Sequence, residues 1–425
     1  MISNVTRLIP NPRLLPRDRW EYSLADAFRG LAAVIKGAPK DSVINLPQLS
    51  NCIPMRSGRA GILAALSSLQ LAPGARIGVP LFCCPIVFKA IVSAGCKVRF
   101  LDVDPATFCL SAEDLTAKKD QLDAVVAVHM FGNMCDMALL QKAAPGIPII
   151  EDCAQALGSK LNGRAAGSFG DVSIFSFRSG KYLSVGEGAA LHSGSGQIRS
   201  RLAQFVEQTS RPGKRAEFQH VATTWLKSLL RRKPLYGLVG FFLWTRVNKE
   251  KRMSITPPVH PGAIHATDLA LTKHRLAKID VLVSRQRAIA EQFSSGLNLE
   301  QSMVCSERAG AFYNRLQYPI TFQSQKQRDF MADFLLQQDV DSVKYLDEVV
   351  TTAAEVFQYG GDCPRSEQLS KQVLIIPNHY ALREKDVKHI INAVNAGWAE
   401  LAGADFSARA AASSKPRPSL IAIPK

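Results

Sequence analysis

Two short segments constrain the fold of this chain more than anything else in it. Ala124-Val-Val-Ala-Val-His129 and Ile147-Pro-Ile-Ile-Glu-Asp152 are near-continuous apolar runs that end in polar residues. An alternating pattern would suit a strand with one wet face, whereas an unbroken run suits a parallel strand covered on both faces. Arg76-Ile-Gly-Val-Pro80 and Val98-Arg-Phe-Leu-Asp102 read as further strands, and helical stretches fall between strands over 56–200. That alternation predicts a doubly wound α/β domain, with ligands at the carboxyl ends of its strands. His129 and Asp152 stand at such ends, which favours function over packing for both.

The remaining features bound the organisation. A chain of 425 residues, 47% of them hydrophobic, can bury one large core and a smaller satellite. The first fifteen residues carry Arg and Pro but no apolar segment of the signal-peptide kind, and no apolar run is long enough to cross a bilayer. Nine cysteines, an odd number without paired metal-ligand spacing, read as reduced cytoplasmic thiols rather than a disulfide framework or a metal site. A net charge of +16 suits an anionic substrate such as a nucleotide diphosphate, an anionic membrane surface, or simply a soluble basic surface. Nucleic acid is disfavoured, because the basic residues are not interleaved with aromatics.

Periodicity breaks down from about 205 to 258, and a helical stretch follows from Ala266 to Phe293. From Tyr318 the order is strand, helix (Gln327 to Gln338), strand and a last helix (Glu384 to Trp398), a compact α+β unit. The organisation expected is therefore an N-terminal extension (1–45), a large α/β domain (46–260) with an insertion at about 205–258, and a long helix with a small α+β domain (261–400). The Ala/Ser/Pro/Lys-rich tail, 407–425, reads as disordered.

The segment with the most chemistry runs from Glu151-Asp-Cys-Ala-Gln155 through Gly167-Ser-Phe-Gly-Asp171 to Ser176-Phe-Arg-Ser-Gly-Lys181-Tyr-Leu-Ser-Val-Gly-Glu187-Gly. A lone lysine is usually a solvated surface residue. Lys181 instead follows an apolar strand (Val172 to Phe177) and precedes a glycine-rich turn, which would hold it at a strand end inside a site. Desolvation there would favour the neutral amine, the form that attacks an aldehyde. Asp152 supplies a carboxylate able to keep a pyridine nitrogen protonated; its plainer role would be a helix N-cap.

These residues closely resemble the DegT/DnrJ/EryC1/StrS family of pyridoxal-phosphate (PLP) sugar aminotransferases, over roughly 52 to 397. Collinear support comes from Arg56-Ser-Gly-Arg-Ala60, Leu71 to Pro80, Ala94 to Asp104, Val128-His-Met-Phe-Gly132, Ile375-Ile-Pro-Asn-His379 and Lys385 to Asn392. The resemblance implies the aspartate-aminotransferase-like fold (fold type I), a homodimer, and an amino-acid donor, usually glutamate, serving a keto-sugar nucleotide. It implies that Lys181 is the Schiff-base lysine, that Asp152 pairs with the pyridine nitrogen and that Gln155 bonds the ring hydroxyl. Ser176 would hold the phosphate with the backbone amides of Gly58, Arg59 and Ala60, at the start of a helix Ala60 to Leu69. Glu187 would stabilise the turn after the lysine. His129, Arg178, Tyr182, Tyr313 and His379 are candidates for contacting the sugar.

Three positions depart from the family pattern. Arg59 stands where a threonine is usual, and could clamp the phosphate bidentately. Cys84 stands where an aromatic usually stacks on the cofactor, leaving Phe82 or Phe88 to compensate. Ala263-Ile-His-Ala266 lacks the asparagine that reaches the neighbouring subunit's phosphate. The surplus at 205–258 contains an apolar run, Leu235 to Trp244, flanked by Arg231, Arg232, Lys233, Arg246, Lys249, Lys251 and Arg252. That pattern suits peripheral contact of 231–252 with the inner face of a membrane, or packing in the core or dimer. A sugar dehydratase of the same fold carries His in place of the lysine, and a non-catalytic scaffold would not need Lys181, Asp152, Gln155 and Ser176 together.

Overall fold

The computed structural model describes residues 10–37, 43–245 and 259–403. The parallel core of the chain is built as the apolar runs require. Strands β1 (Ile44–Leu46), β2 (Leu49–Met55), β3 (Arg76–Pro80), β4 (Lys97–Leu101), β5 (Ala124–Val128), β6 (Ile149–Asp152), β7 (Val172–Ser176) and β8 (Ala189–His192) form one sheet in the order β1-β2-β8-β7-β6-β5-β3-β4. The strands β3, β4, β5, β6 and β7 pair in parallel, and β8 returns antiparallel to both β7 and β2. Every residue of β5 and β6 is buried, which explains their unbroken apolar character.

Helices cover both faces: α1 (Leu24–Lys36), α2 (Gly58–Ser68), α3 (Pro85–Ser93), α4 (Ala112–Lys118), α5 (Met137–Ala143), α6 (Gly196–Glu207) and α7 (Lys214–Leu229). Then come α8 (Ala266–Leu276), α9 (Ile279–Gly296), α10 (Gln325–Gln337), α11 (Val349–Phe357), α12 (Pro364–Gln372) and α13 (Glu384–Gly403). The C-terminal part adds a three-stranded antiparallel sheet of β9 (Tyr318–Thr321), β11 (Val373–Ile376) and β10 (Val343–Lys344), with β11 central. Its own apolar cluster joins α9, α10 and α13 through Phe293, Met331, Leu335, Ile390 and Val394.

Several expectations need correction. The stretch taken as aperiodic contains α7, whose buried residues Glu217, Val221, Thr224 and Ser228 recur at helical spacing but are mostly polar. The expected helix from Ala266 to Phe293 is two helices, interrupted at Ala277-Lys278. The phosphate-loop helix starts at Gly58 rather than Ala60, because Ser57 caps it by accepting from the Ala60 N–H at 3.3 Å. The expected tail and the basic residues Arg246, Lys249, Lys251 and Arg252 lie outside the described residues.

The segment Leu14–Tyr22 is a strap stitched onto the C-terminal part. Leu15 N–H donates to Asp339 O at 2.7 Å, Asp341 N–H donates to Leu15 O at 3.1 Å, and Arg17 forks onto the Asp341 carboxylate at 2.5 and 2.9 Å. Trp20 Nε1 donates to Ser184 O, three residues beyond Lys181. A second clasp is Asn314, whose Nδ2 donates to Gln155 O and Leu157 O at 2.8 and 2.9 Å. Asn314 fits only because residue 132 is glycine, with φ of 92° and a side-chain position that Asn314 Oδ1 already fills. Gly132→Ala should therefore cost about 3 kcal/mol or more. Gly360→Ala, which meets nothing and caps no helix, should leave chemical denaturation unchanged. Equal denaturation midpoints for the two variants would contradict this packing.

Candidate active site

The register of the parallel strands sets the site. Val128 pairs with Asp152 across β5 and β6, and Asp152 pairs with Ile174 across β6 and β7, so Asp152 ends the central strand. Next to it, Glu151 is fully buried and faces His129 Nε2 at 2.8 Å. The Cys135 amide donates to His129 Nδ1, so the ring proton lies on the Nε2 side, toward the carboxylate. Glu151 also accepts from the amides of Gly167, Phe169 and Gly170 at 2.6, 2.9 and 2.9 Å. Burial alone would raise the Glu151 pKa, but the His129 bond and these amides outweigh it and hold the carboxyl below its usual range. His129 thus locks the strand ends and is closed to a sugar.

Burial pushes the Asp152 carboxyl above its usual range, against the opposing pull of the Ala154 amide and Lys181. Burial also drives Lys181 down to about 8, with Asp152 and Cys84 countering part of the effect. A buried carboxylate facing a lysine shifted toward its neutral form calls for a cationic ring nitrogen to complete it. Ser176 ends β7 beside Gly58, where an added Cβ would sit 3.2 Å from Ser176 Cβ and 3.3 Å from its Oγ. The first turn of α2, an anion site by its dipole and free amides, meets the serine there. The Ala60 amide is committed to Ser57, so Gly58 and Arg59 carry the remaining first-turn donors. Lys181, Asp152, Ser176 and the α2 N-terminus therefore fit a phosphorylated pyridine aldehyde.

Gln155 and Cys84 join the site with a partner that sequence reasoning missed. Tyr345 Oη lies 3.3 Å from Gln155 Nε2, and its ring packs edge-on against Phe131 and Phe82. Burial is the main cause that raises the Tyr345 pKa, and nearby Cys84, Cys83 and Asp152 add to it. Neither aromatic expected to stand in for Cys84 can do so: Phe82 is fully enclosed, and Phe88 is buried against Phe100 and Phe357. Cys84 itself is exposed at the start of α3. Tyr345 lies in the turn that follows β10 in the C-terminal part, where no motif pointed to it.

The turn after the lysine is braced from the insertion. Glu187 pairs with Arg56 at 3.3 Å, and its amide donates to Asp268 Oδ2 at 3.1 Å. From α7, His220 bonds the Asp268 carboxylate at 2.8 Å and lies parallel to the His265 ring at 3.9 Å. Burial works against a charged His220, but Asp268, Glu187 and Glu217 outweigh it and raise its pKa. The Ala263 stretch runs beside the phosphate loop, where Gly262 O accepts from the Arg56 amide at 3.0 Å. Of the other sugar candidates, Arg178 is exposed, Tyr182 donates to Asn314 O, and Tyr313 is fully buried. Only Tyr182 and His379 line a cavity beside Lys181.

The family model for the DegT/DnrJ/EryC1/StrS aminotransferase family matches residues 44–395. The chain belongs to this family, and its cofactor is pyridoxal phosphate. It is 32% identical over 193 residues to the L-glutamine:2-deoxy-scyllo-inosose aminotransferase of Streptoalloteichus tenebrarius, a match spanning 45% of each chain. It is 26% identical over 353 residues to the GDP-perosamine synthase of Vibrio cholerae, covering 82% of this chain and 86% of that one. The fold matches the sugar aminotransferase CalS13 from Micromonospora echinospora with a TM-score of 0.70 at 19% identity, over 91% of this chain and 100% of that one.

A lysine pKa near 8 has a direct kinetic consequence, because only the neutral amine captures an aldehyde. The rate at which the cofactor-free protein takes up pyridoxal phosphate should rise from pH 6.5 and level off above about 8. A rate still climbing tenfold per pH unit at pH 9.5 would mean that Lys181 is not desolvated.

Proposed function

We propose that this protein moves an amino group from an α-amino acid to the keto carbon of a nucleotide-linked sugar, working as a homodimer. The observation that carries the reading is the placement of Lys181, Asp152, Gln155 and Ser176 around one strand-end cleft. The cofactor, when bound, supplies an electron sink for the substrate carbon. Asp152 would keep the ring nitrogen protonated, and Gln155 would hold the ring hydroxyl. Ser176 and the Gly58 and Arg59 amides would hold the phosphate, with the exposed Arg59 side chain as a clamp. Lys181 Nζ would take the proton from the donor's α-carbon and deliver it in the return half-reaction. Resemblance implies glutamate as donor, while the inosose aminotransferase relative is named for L-glutamine. GDP-perosamine synthase as a relative and a net charge of +16 both support a nucleotide-linked acceptor.

Lys181→Ala should fold normally by circular dichroism yet lose both the visible absorbance of the bound cofactor and all amine transfer. Ser176→Ala should keep the absorbance and weaken cofactor affinity by about tenfold. If Lys181→Ala kept both signals, the assignment of the lysine would be wrong.

The insertion supports a second, separate proposal, peripheral contact with an anionic membrane. Leu235, Leu238, Val239 and Leu243 are exposed, while Tyr236 and Phe241 pack on Leu14 beneath them. Arg231 is not available to lipid, since it pairs with Asp18 and lies 4.7 Å over Trp244. No helix among the described residues is long and apolar enough to span a membrane. Replacing the four exposed residues by Ser should reduce sedimentation with anionic liposomes severalfold, and an unchanged bound fraction would exclude the contact.

A further inference from the structure

The turn Gly186-Glu187-Gly188 is seated between the two halves of the cofactor site. Gly186 bridges Arg178 of the Lys181 turn, and Gly188 bridges Ser57, the residue that caps the phosphate-loop helix α2. Both glycines hold positive φ, at 134° and 128°, a region that other residues rarely adopt. A Cβ on Gly186 would sit 2.9 Å from His220 Nε2 and 3.0 Å from Asp268 Oδ1, so these two side chains lie directly against the turn.

His220 reaches the turn from the insertion, on α7. Its Nε2 lies 2.9 and 2.8 Å from the two oxygens of Asp268, which is fully buried and also accepts from the Glu187 amide. Among the described residues no other cationic side chain comes within ion-pair distance of Asp268. The titratable groups around His220 are Glu217 on its own helix, His265 and Asp268 at the start of α8, and Glu187 on the turn. Tyr22 of the strap stands near Asp268 and Glu217, while Arg56 and Arg59 act on Glu187. Three carboxylates thus face one histidine.

Glu187 is where that charge matters. Burial would raise its pKa, but His220, Arg56 and Arg59 outweigh it and hold the carboxyl below its usual range. Glu187 is therefore shared by three cations, one of which, Arg59, is the clamp expected on the cofactor's phosphate. A neutral His220 would leave Glu187 to the two arginines, drawing Arg59 off the phosphate. It would also leave Asp268 a buried carboxylate with no countercharge.

We propose that His220 is a positioning residue for the cofactor: as an imidazolium it engages Asp268 and Glu187, which holds the turn and frees Arg59 for the phosphate. Burial works against the charged ring, but the three carboxylates outweigh it and raise the His220 pKa. The contribution is thus present below the usual histidine value and lost as pH rises through the raised one. It governs how firmly the phosphate is held, not the capture of the aldehyde by Lys181. It requires the cofactor alone, whichever amine acceptor the protein serves.

Pyridoxine phosphate, which has the ring and the phosphate but no aldehyde, isolates the effect. Its affinity is measured by calorimetry on two full-length proteins. One is Lys181→Ala, in which the lysine no longer titrates; the other adds His220→Gln, which keeps an N–H donor without the charge. At pH 6.5 Lys181→Ala should bind about tenfold more tightly than the double variant. The gap should close by pH 9.5, where both side chains are neutral, and groups common to the two proteins cancel in it. A gap equally wide at every pH would reduce His220 to a structural contact and overturn the proposal. So would the absence of a gap at pH 6.5, or no binding to Lys181→Ala there. Glu187→Gln in the Lys181→Ala protein is the second test, which decides if the first double variant fails to fold by circular dichroism. With no carboxylate to compete for Arg59, it should lose less affinity between pH 6.5 and 9.5 than Lys181→Ala does. An equal loss would overturn the proposal.

Discussion

Much of this molecule hangs on one buried carboxylate that takes no part in the chemistry. Glu151 gathers the imidazole at the end of β5 and three amides of the loop that leads into β7. Buried charge is costly unless its hydrogen-bonding capacity is met, and here it is met fourfold. The consequence is positional: Asp152, the next residue, is fixed at the carboxyl end of the central strand, and β7 is fixed beside it in register. Ser176 and Lys181 follow directly from β7. Strand ends, which are rigid, thus set Asp152 and Ser176, and Lys181 is carried on the turn that follows β7.

The chemistry then comes from what burial does to two groups. Desolvation raises the Asp152 pKa and lowers that of Lys181, each toward its neutral form. Two further contacts reach the site from outside the collinear motifs. Tyr345 stands beside Cys84 and Gln155. The inserted α7 braces the turn after the lysine through His220, Asp268 and Glu187.

How much of this was legible in the sequence follows from which interactions are local. Strands β5 and β6 were readable because unbroken apolar runs have few other uses, and Lys181, Asp152, Gln155 and Ser176 were readable from collinear motifs. Tyr345 was not, since it reaches Gln155 across 190 positions of chain and lies in no motif. Helix α7 was not, because Glu217, Thr224 and Ser228 occupy its buried face and hide its period. His129 was misread for a related reason. A histidine at a strand end suggests a ligand contact, and only the fold reveals Glu151 and the Cys135 amide holding both its nitrogens. The cavity at His379 was legible only as a single candidate residue, because its wall is assembled from three distant parts of the chain.

The central claim is that Lys181 is the residue that holds the cofactor. Borohydride treatment of the protein with bound pyridoxal phosphate, followed by proteolysis and mass spectrometry, tests it most directly. The account predicts the reduced phosphopyridoxyl group on the peptide containing Lys181 and on no other lysine peptide in comparable yield. Stable labelling of a different lysine, with Lys181 unmodified, would contradict it.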